Sequence, residues 1–556
     1  MAHPNHDFPE QDLGTESQAA DLPRDSNPGE GDGKGEFPSG LRLGILVLAL
    51  VLSIFLVALD MTIVATAIPR ITQEFDSLAD IGWYGSAFFL TISAFAQVWG
   101  KAYMYFQLKW VILTAIFIFE VGSLICALAP NSTALIVGRA ITGAGGAGIT
   151  NGCYIIIAFI AHPNKRPAYT GVLGAVYGFA SVVGPLIGGA FTTNVTWRWC
   201  FYLNLPVGGC SMLVLLLFFR TPAAAAPRQA TWKEKLYNMD PLGTLLIMAS
   251  LCCYLLALQW GGVTKPWTSS DVIGTLVGFV VILAVFALQQ IKLGETSMMI
   301  PRLVKNRQNI SLLLFNFFLA GAYFNFVYYL PIYFQAIGGY SAVDSAVRNL
   351  PLIVGSSVFG IVAGVLLAAV GYFHVFLLSG AALASVGAGL LLTLGTRLDV
   401  GKYIGYQLLL GIGAGLCLQV PVMVGQAFTS PVDIPAVTAI LLFFQTMGGT
   451  VFISAAQSIF TNRLVAALDG NSVGLDPVQV TSIGATGLRD VYSGEQLAVV
   501  MDAYVVGLRD AWIIGVVCAV MAFLSAFLTP FRTVKQSSGK TEISSDDTTV
   551  DAEKSV

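Results

Sequence analysis

"GRAITGAGGAGITNG", residues 138–152, decides the fold, because it admits two incompatible readings. Gly143, Gly145 and Gly148 fit the G-x-G-x-x-G spacing of a dinucleotide-binding turn, which needs a strand before the glycines and a helix opening on them. Here they are preceded by "STALIV" and followed by "CYIIIAFIA", so they lie inside one apolar run of membrane-spanning length. Within such a run small residues let neighbouring helices approach closely. The packing reading is preferred, and with it an all-helical integral membrane protein.

The rest of the chain agrees. Of 556 residues, 55% are hydrophobic and 11% charged, against about 25% charged in ordinary soluble domains, and mean hydropathy is +0.74. The eight cysteines lie mostly in apolar stretches, where Cys acts as a small hydrophobe; neither disulfides nor a metal site is expected. "VKQSSGKT" (534–541) resembles the end of a phosphate-binding loop but lacks its first glycine and any preceding strand, so a nucleotide-driven pump is unsupported. No cofactor and no nucleic-acid partner is expected, and no nucleophile–base cluster suggests an enzyme. Residues 1–40 hold nine acidic and two basic residues among many Pro, Gly and Ser, which reads as a disordered, water-exposed tail. The tail has no basic start and short apolar core of a signal peptide, so the first span is expected to insert uncleaved.

Spans of about 20 apolar residues begin near Leu43, Ile81, Val111, Ala134, Ala168, Trp199 and Pro241, then near Asp271, Ile310, Ser345, His374, Tyr403, Pro435 and Ala511, fourteen in all. With the N-terminus inside, the cytoplasmic loops up to residue 309 carry twelve Lys and Arg and the intervening outer loops three, Arg70, Arg198 and Lys265, which places both termini in the cytoplasm. The Gly-dense "LLLGIGAGLCLQVP" (408–421) echoes the opening stretch. Two related six-helix bundles with an inserted helix pair follow as the expected architecture. The expected divisions are a tail at 1–42, a bundle at 43–220, the inserted pair at 221–309, a second bundle at 310–530 with a long external loop at about 461–510, and a tail at 531–556. The sequons at Asn131 and Asn194 face outward close to the membrane, which disfavours glycosylation.

Inside the spans sit residues that lipid does not tolerate. A charged side chain at mid-bilayer costs roughly 2.5–3.5 kcal/mol on insertion scales, yet Asp60, Glu120 and Arg139 all fall within the first four spans. A carboxylate in a membrane cavity can gain or lose a proton as its surroundings change, so Asp60 and Glu120 are candidate proton carriers and Arg139 the candidate counter-ion; helix packing is the competing role for Asp60. In the ninth span and its exit, "FNFFLAGAYFNFVYYLPIYFQAIGGY" (315–340) interleaves amides with rings. Asn316, Phe324, Asn325, Tyr328 and Gln335, with Gln419 and Gln445, are candidates to line an aromatic cavity for a hydrophobic solute. Interhelical hydrogen bonding and an interfacial aromatic belt compete with that reading.

Several stretches together resemble the fourteen-spanner drug:proton antiporters of the major facilitator superfamily. "LDMTIVATAIPRI" (59–71) resembles their first-span motif, "LIVGRAITGAGGAGI" (135–149) their fourth, and "GFASVVGPLIGGAF" (178–191) the fifth-span motif of antiporters. "WRWCFYLNLPVGG" (197–209) is similar to the entry to their sixth span, and "YYLPIYFQAIGGYSAVDSAVRNLPLI" (328–353) to fungal toxin and multidrug efflux pumps. The resemblance covers about residues 42–530. It implies a proton-driven exporter of hydrophobic toxins, secondary metabolites or drugs, functional as a monomer, in the plasma membrane or else the vacuolar membrane. Gly143, Gly145, Gly148, Gly184, Pro185, Gly188 and Gly189 then become gating and packing residues. Loop 2–3 departs from the superfamily pattern: "GKAYMYFQLKW" (100–110) keeps Gly100, Lys101 and Lys109 but lacks the acidic residue, which puts that loop's charge-relay gating in question. A siderophore or other organic-solute:proton carrier is the alternative, and a non-transporting sensor a more distant one.

Overall fold

The computed structural model describes residue 38 and residues 40–77, 80–469 and 474–533. The expected tails at 1–42 and 531–556 lie outside these residues except at their inner ends, and helix already begins at Gly40. The N-terminal half holds α1 (Gly40–Phe75), α2 (Ile81–Tyr105), α3 (Leu108–Ala127), α4 (Ser132–Ile160), α5 (Arg166–Asn194) and α6 (Asn204–Phe218). Next come α7 (Pro241–Trp260) and α8 (Ser270–Leu293). The C-terminal half holds α9 (Arg307–Gly338), α10 (Leu350–Val370), α11 (Phe373–Leu391), α12 (Val400–Cys417), α13 (Ile434–Leu468) and α14 (Gly494–Ala526). Among the described residues the only β-type pairing is one bridge, Gly261 to Lys265.

Among the described residues, thirteen helical stretches are long and apolar enough to cross a bilayer. The expected span that is not among them is α2: its 25 residues suffice in length, but Tyr84, Ser86, Thr91, Ser93, Gln97 and Lys101 dilute its apolar run. Those polar residues are tolerated because α2 is flanked by protein on several sides, packing on α4, α13 and α7.

The two halves repeat one packing pattern. α1 runs along α5, α4 packs on both α2 and α3, and α6 closes against α1 and α3. Correspondingly α9 runs along α13, α12 packs on both α10 and α11, and α14 closes against α9 and α11. The bundles meet through two reciprocal seams, α5 on α10 and α2 on α13. The inserted pair stands beside the second seam: α7 touches α2 and α13, while α8 packs chiefly on α7 and leaves Val280, Leu288 and Ile291 each 60% exposed for lipid.

Asp240 fixes that pair. It adopts a left-handed conformation (φ 49°) just before α7 and accepts from the Gly243 amide at 2.8 Å. Its two oxygens also accept from the side-chain amides of Gln289 and Gln290, each at 2.6 Å, tying the start of α7 to the end of α8. Asp240→Ala strips four donors of an acceptor, the Met298 amide at 3.4 Å among them, at about 1–3 kcal/mol for each buried group left unsatisfied. A clear drop in the melting temperature of the detergent-purified protein is expected, and an unchanged melt would refute the role.

Local sequence explains the departures from expectation. The segment assigned to the external loop is largely helical: α13 continues to Leu468, and "EQLAVVMDAYVVGLRDAW" (495–512) forms the first half of α14, continuous with the last span. What remains between them holds the short helices Pro477–Ile483 and Leu488–Val491. Arg489 anchors this connection by donating to the Ile337 carbonyl at 2.7 Å, at the end of α9.

Candidate functional site

Asp60 lies well inside α1 and Arg139 about a quarter of the way along α4, and both side chains are sealed from solvent, at 0% and 1% exposure. They form an ion pair through Nη1 and Oδ2. The guanidinium is held on its other edges too: Nε donates to the Tyr84 carbonyl at 2.9 Å and Nη2 to the Asp60 carbonyl at 3.3 Å. Its face lies 4.5 Å from the Phe88 ring centre, within cation–π range. Asp60 Oδ1 accepts from Asn204 Nδ2 at 3.4 Å, and the same amide donates to Ser123 Oγ at 3.0 Å. Five elements of the first bundle thus converge on one polar knot, α1, α2, α3, α4 and α6.

Glu120, one turn before Ser123 on α3, is also buried, but neither carboxyl oxygen has a hydrogen-bond partner. It points at α6, where a Cβ added to Gly208 would collide with it.

The glycines of α4 and α5 set helix distances. A Cβ on Gly145 would sit 2.8 Å from Phe119 Cα of α3, one on Gly148 2.6 Å from Ala115 Cβ, and one on Gly143 3.1 Å from the Phe88 carbonyl carbon of α2. On α5, Gly184 and Gly188 face α1: their Cβ positions lie 3.2 Å from Ile63 N and 2.8 Å from Ile63 O. Gly189 faces Val343 instead, at 3.1 Å, and Pro185 sits inside the helix between them, where it removes one backbone bond. α1, which carries Asp60, is therefore seated directly on the Gly-Pro turn of α5.

At the end of the bundles that carries Lys101 and Arg166, the two halves touch with little between them. A Cβ on Gly171 would lie 3.2 Å from Ile361 Cα, and one on Gly364 2.9 Å from the Pro167 carbonyl carbon. On the other seam a Cβ on Gly100 would lie 3.4 Å from the Pro435 carbonyl oxygen. Tyr154 of α4 donates to Gln419 Oε1 at 3.2 Å, and Gln426 donates to the Tyr154 carbonyl at 3.3 Å. Just outside this end, Arg302 joins Glu295 at 3.0 Å and Asp433 at 3.1 Å; the hydrogen bonds it donates to Glu295 and then to Asp433 hold its pKa above the ordinary arginine value. Buried Lys101 donates to the Glu295 carbonyl at 3.3 Å. Lys109 is not part of this assembly: it donates to the Leu216 carbonyl at 2.6 Å, capping the end of α6.

The other sequence candidates do not gather at one place. Asn316 donates to the Leu441 carbonyl of α13 at 2.8 Å, whereas Asn325 donates to the Ala511 carbonyl of α14 at 3.2 Å. Nine residues is two and a half helical turns, so the two amides leave α9 on opposite sides. Phe324 packs on Gly449, Tyr328 is 50% exposed, Gln335 is half-buried near the end of α9, and Gln445 is buried in α13. A ring cluster that sequence reading did not single out, Phe317, Phe444 and Phe452, joins α9 to α13 with Phe317 centroid separations of 6.4 and 5.1 Å. Sequence reading also passed over Asn204 and Asp240; each is a polar residue at the start of an otherwise apolar helix, and that position was the available signal.

Comparison with known proteins follows the same line. A profile of the Major Facilitator Superfamily matches residues 50–453. The chain is 48% identical over 514 residues to the MFS-type transporter GME11371 of Pestalotiopsis microspora, covering 92% of this chain and 94% of that one. It is 45% identical over 497 residues to the MFS-type efflux pump MFS1 of Arthroderma benhamiae, covering 89% and 93%. Among solved structures, the human organic anion transporter MFSD10 (TETRAN) superposes with a TM-score of 0.56 at 13% identity, covering 88% of this chain and all of that one, a likeness of fold. Two bundles with matching packing, a buried carboxylate–guanidinium pair in the first, and a family profile across most of the chain lead to one conclusion: this protein belongs to the major facilitator superfamily.

Proposed function

We propose that the protein is a proton-coupled exporter of hydrophobic small molecules, of the kind that fungal secondary metabolites and toxins represent, working by alternating access. The observation that carries the coupling is the sealed Asp60–Arg139 pair on a helix seated against the Gly-Pro turn of α5. With the N-terminus in the cytoplasm, the two seams, at Gly171 and Gly364 and at Gly100, form the cytoplasmic gate, closed in this conformation, with Lys101, Glu295, Arg302 and Asp433 braced across its outer edge. A proton arriving from outside neutralises Asp60. Arg139 then loses its counter-ion, and the contact between α1 and α4 loosens. That contact biases the outward-facing state, so its loss favours opening the cytoplasmic seam and capture of solute from the cytoplasm or inner leaflet. Release of the proton inside resets the pair. The chain supplies no covalent chemistry to this cycle, the proton gradient is its energy source, and the plasma membrane is the proposed site. The naming of the relatives as efflux pumps supports export over uptake.

The test is efflux of a panel of hydrophobic dyes and toxins from pump-deficient yeast expressing this chain, with and without a protonophore. Efflux above the empty-vector control that the protonophore collapses is expected. Energised accumulation instead of efflux would favour the solute:proton importer.

A further inference from the structure

Arg139 is fully committed: its three nitrogens engage the Asp60 carboxylate, the Asp60 carbonyl and the Tyr84 carbonyl. Beside this polar knot lies a second acid. Glu120 is buried on α3 with both carboxyl oxygens unpartnered, facing Gly208 of α6 and Leu56 of α1. Arg42, Arg70 and Glu74 lie toward the ends of α1 and Lys109 at the start of α3; the buried acids, bases and thiols around Glu120 are Asp60 of α1 and Arg139 of α4, with the thiols of Cys126 on α3 and Cys200 before α6. No second cation is among them. A purely structural carboxyl would collect donors, as Asp240 does; Glu120 has none, although Ser123 lies one turn along the same helix face. Ser123 accepts from Asn204, which also reaches Asp60, and so keeps its own hydroxyl proton to give.

We propose that Glu120 is a second proton-binding site of the transport cycle, exchanging its proton with Asp60 across the seam formed by Asn204 and Ser123. Glu120 holds a proton while Asp60 is ionised against Arg139. When the proton passes, the Glu120 O–H bond breaks and an Asp60 O–H bond forms. The compartment keeps one cation and one anion throughout, so the switch releases Arg139 from Asp60 without adding net charge inside the membrane. The place is the back of the first bundle, between α3 and α6, and not the seams where the two bundles meet. This rests on Asp60 being the coupling acid.

Infrared difference spectra between acid and alkaline pH, taken on the full-length protein in liposomes, test it without any transported solute. A protonated-carboxyl band should be present in the wild type and absent from Glu120→Gln. In Asp60→Asn the band should persist with its midpoint moved by at least about one pH unit, a tenfold change in proton affinity. Gly208→Ala, which presses a methyl group against the Glu120 carboxyl, should shift the band's frequency and covers the case in which Glu120→Gln does not fold. A wild-type carboxyl region in both Glu120→Gln and Gly208→Ala overturns the site, and a band whose midpoint ignores Asp60→Asn overturns the exchange. Loss of dye efflux with these spectra intact would instead count against the exporter reading alone.

Discussion

Asp60→Asn is expected to abolish protonophore-sensitive efflux while most of the fold survives. Asparagine keeps the shape, and its oxygen can still accept one of the bonds now made by Arg139 and Asn204. What it cannot do is gain or lose a proton. The substitution also strands a buried guanidinium, and breaking a buried pair from one side typically costs about 3–5 kcal/mol. A drop in melting temperature should accompany the lost activity, which makes the single variant ambiguous. Pairing it with Arg139→Gln removes the stranded charge, since a buried ion pair can often be replaced by a neutral one at little cost in stability. The double variant should therefore recover surface expression and melting temperature toward wild type without recovering proton-driven efflux. Wild-type proton dependence in the double variant would remove Asp60 and Arg139 from the coupling machinery and leave them a packing role. Arg139→Lys is expected to behave as a loss of function, because an ammonium cannot reproduce three donors set on three edges.

The second large effect is structural. Gly145→Val should prevent correct folding, because the new side chain would grow from a Cβ already 2.8 Å from Phe119 Cα and 2.9 Å from the Ala115 carbonyl oxygen. Both obstacles are backbone of α3, and no rotamer change relieves them. Overpacking costs typically about 1–3 kcal/mol where side chains can shift; here α3 itself must move away from α4, which it contacts along its length. Gly405 is the control, with nothing within 4 Å of its Cβ position. Gly405→Ala should be neutral or slightly stabilising, by up to about 1 kcal/mol, through helix propensity. Monodisperse yield and thermal melting in detergent distinguish the two. A wild-type profile for Gly145→Val would mean that α3 and α4 are not packed as described.

What the sequence revealed depended on whether the relevant physics was local. Apolar runs of spanning length are local, so the helices of both bundles were readable, and α2 weakly so, because neighbours rather than lipid accommodate its polar residues. The glycines of α4 could be read as packing residues, but which of them face α2 and which face α3 depends on the bundle as a whole. The expense of Asp60, Glu120 and Arg139 in lipid was visible residue by residue. That Asp60 and Arg139 pair while Glu120 stands apart was not, since 79 residues separate the partners and the knot is completed by Asn204 from α6. Lys109 looked like part of a loop motif; its partner is a carbonyl at the end of α6, set by how α3 and α6 pack. Asn325 illustrates the limit most plainly: an amide in an aromatic helix looks the same in sequence whether it faces a cavity or, as here, a neighbouring backbone.

At Gly100 on one seam, and at Gly171 and Gly364 on the other, the bundles meet backbone against backbone or against a single methyl group. At these points the surfaces can part without any side chain changing rotamer, which keeps the local cost of separation small and lets the separated and joined forms lie closer in free energy. A solute that binds only modestly better to one form can then shift the balance, which suits a carrier that must handle many differently shaped molecules without a tailored contact for each.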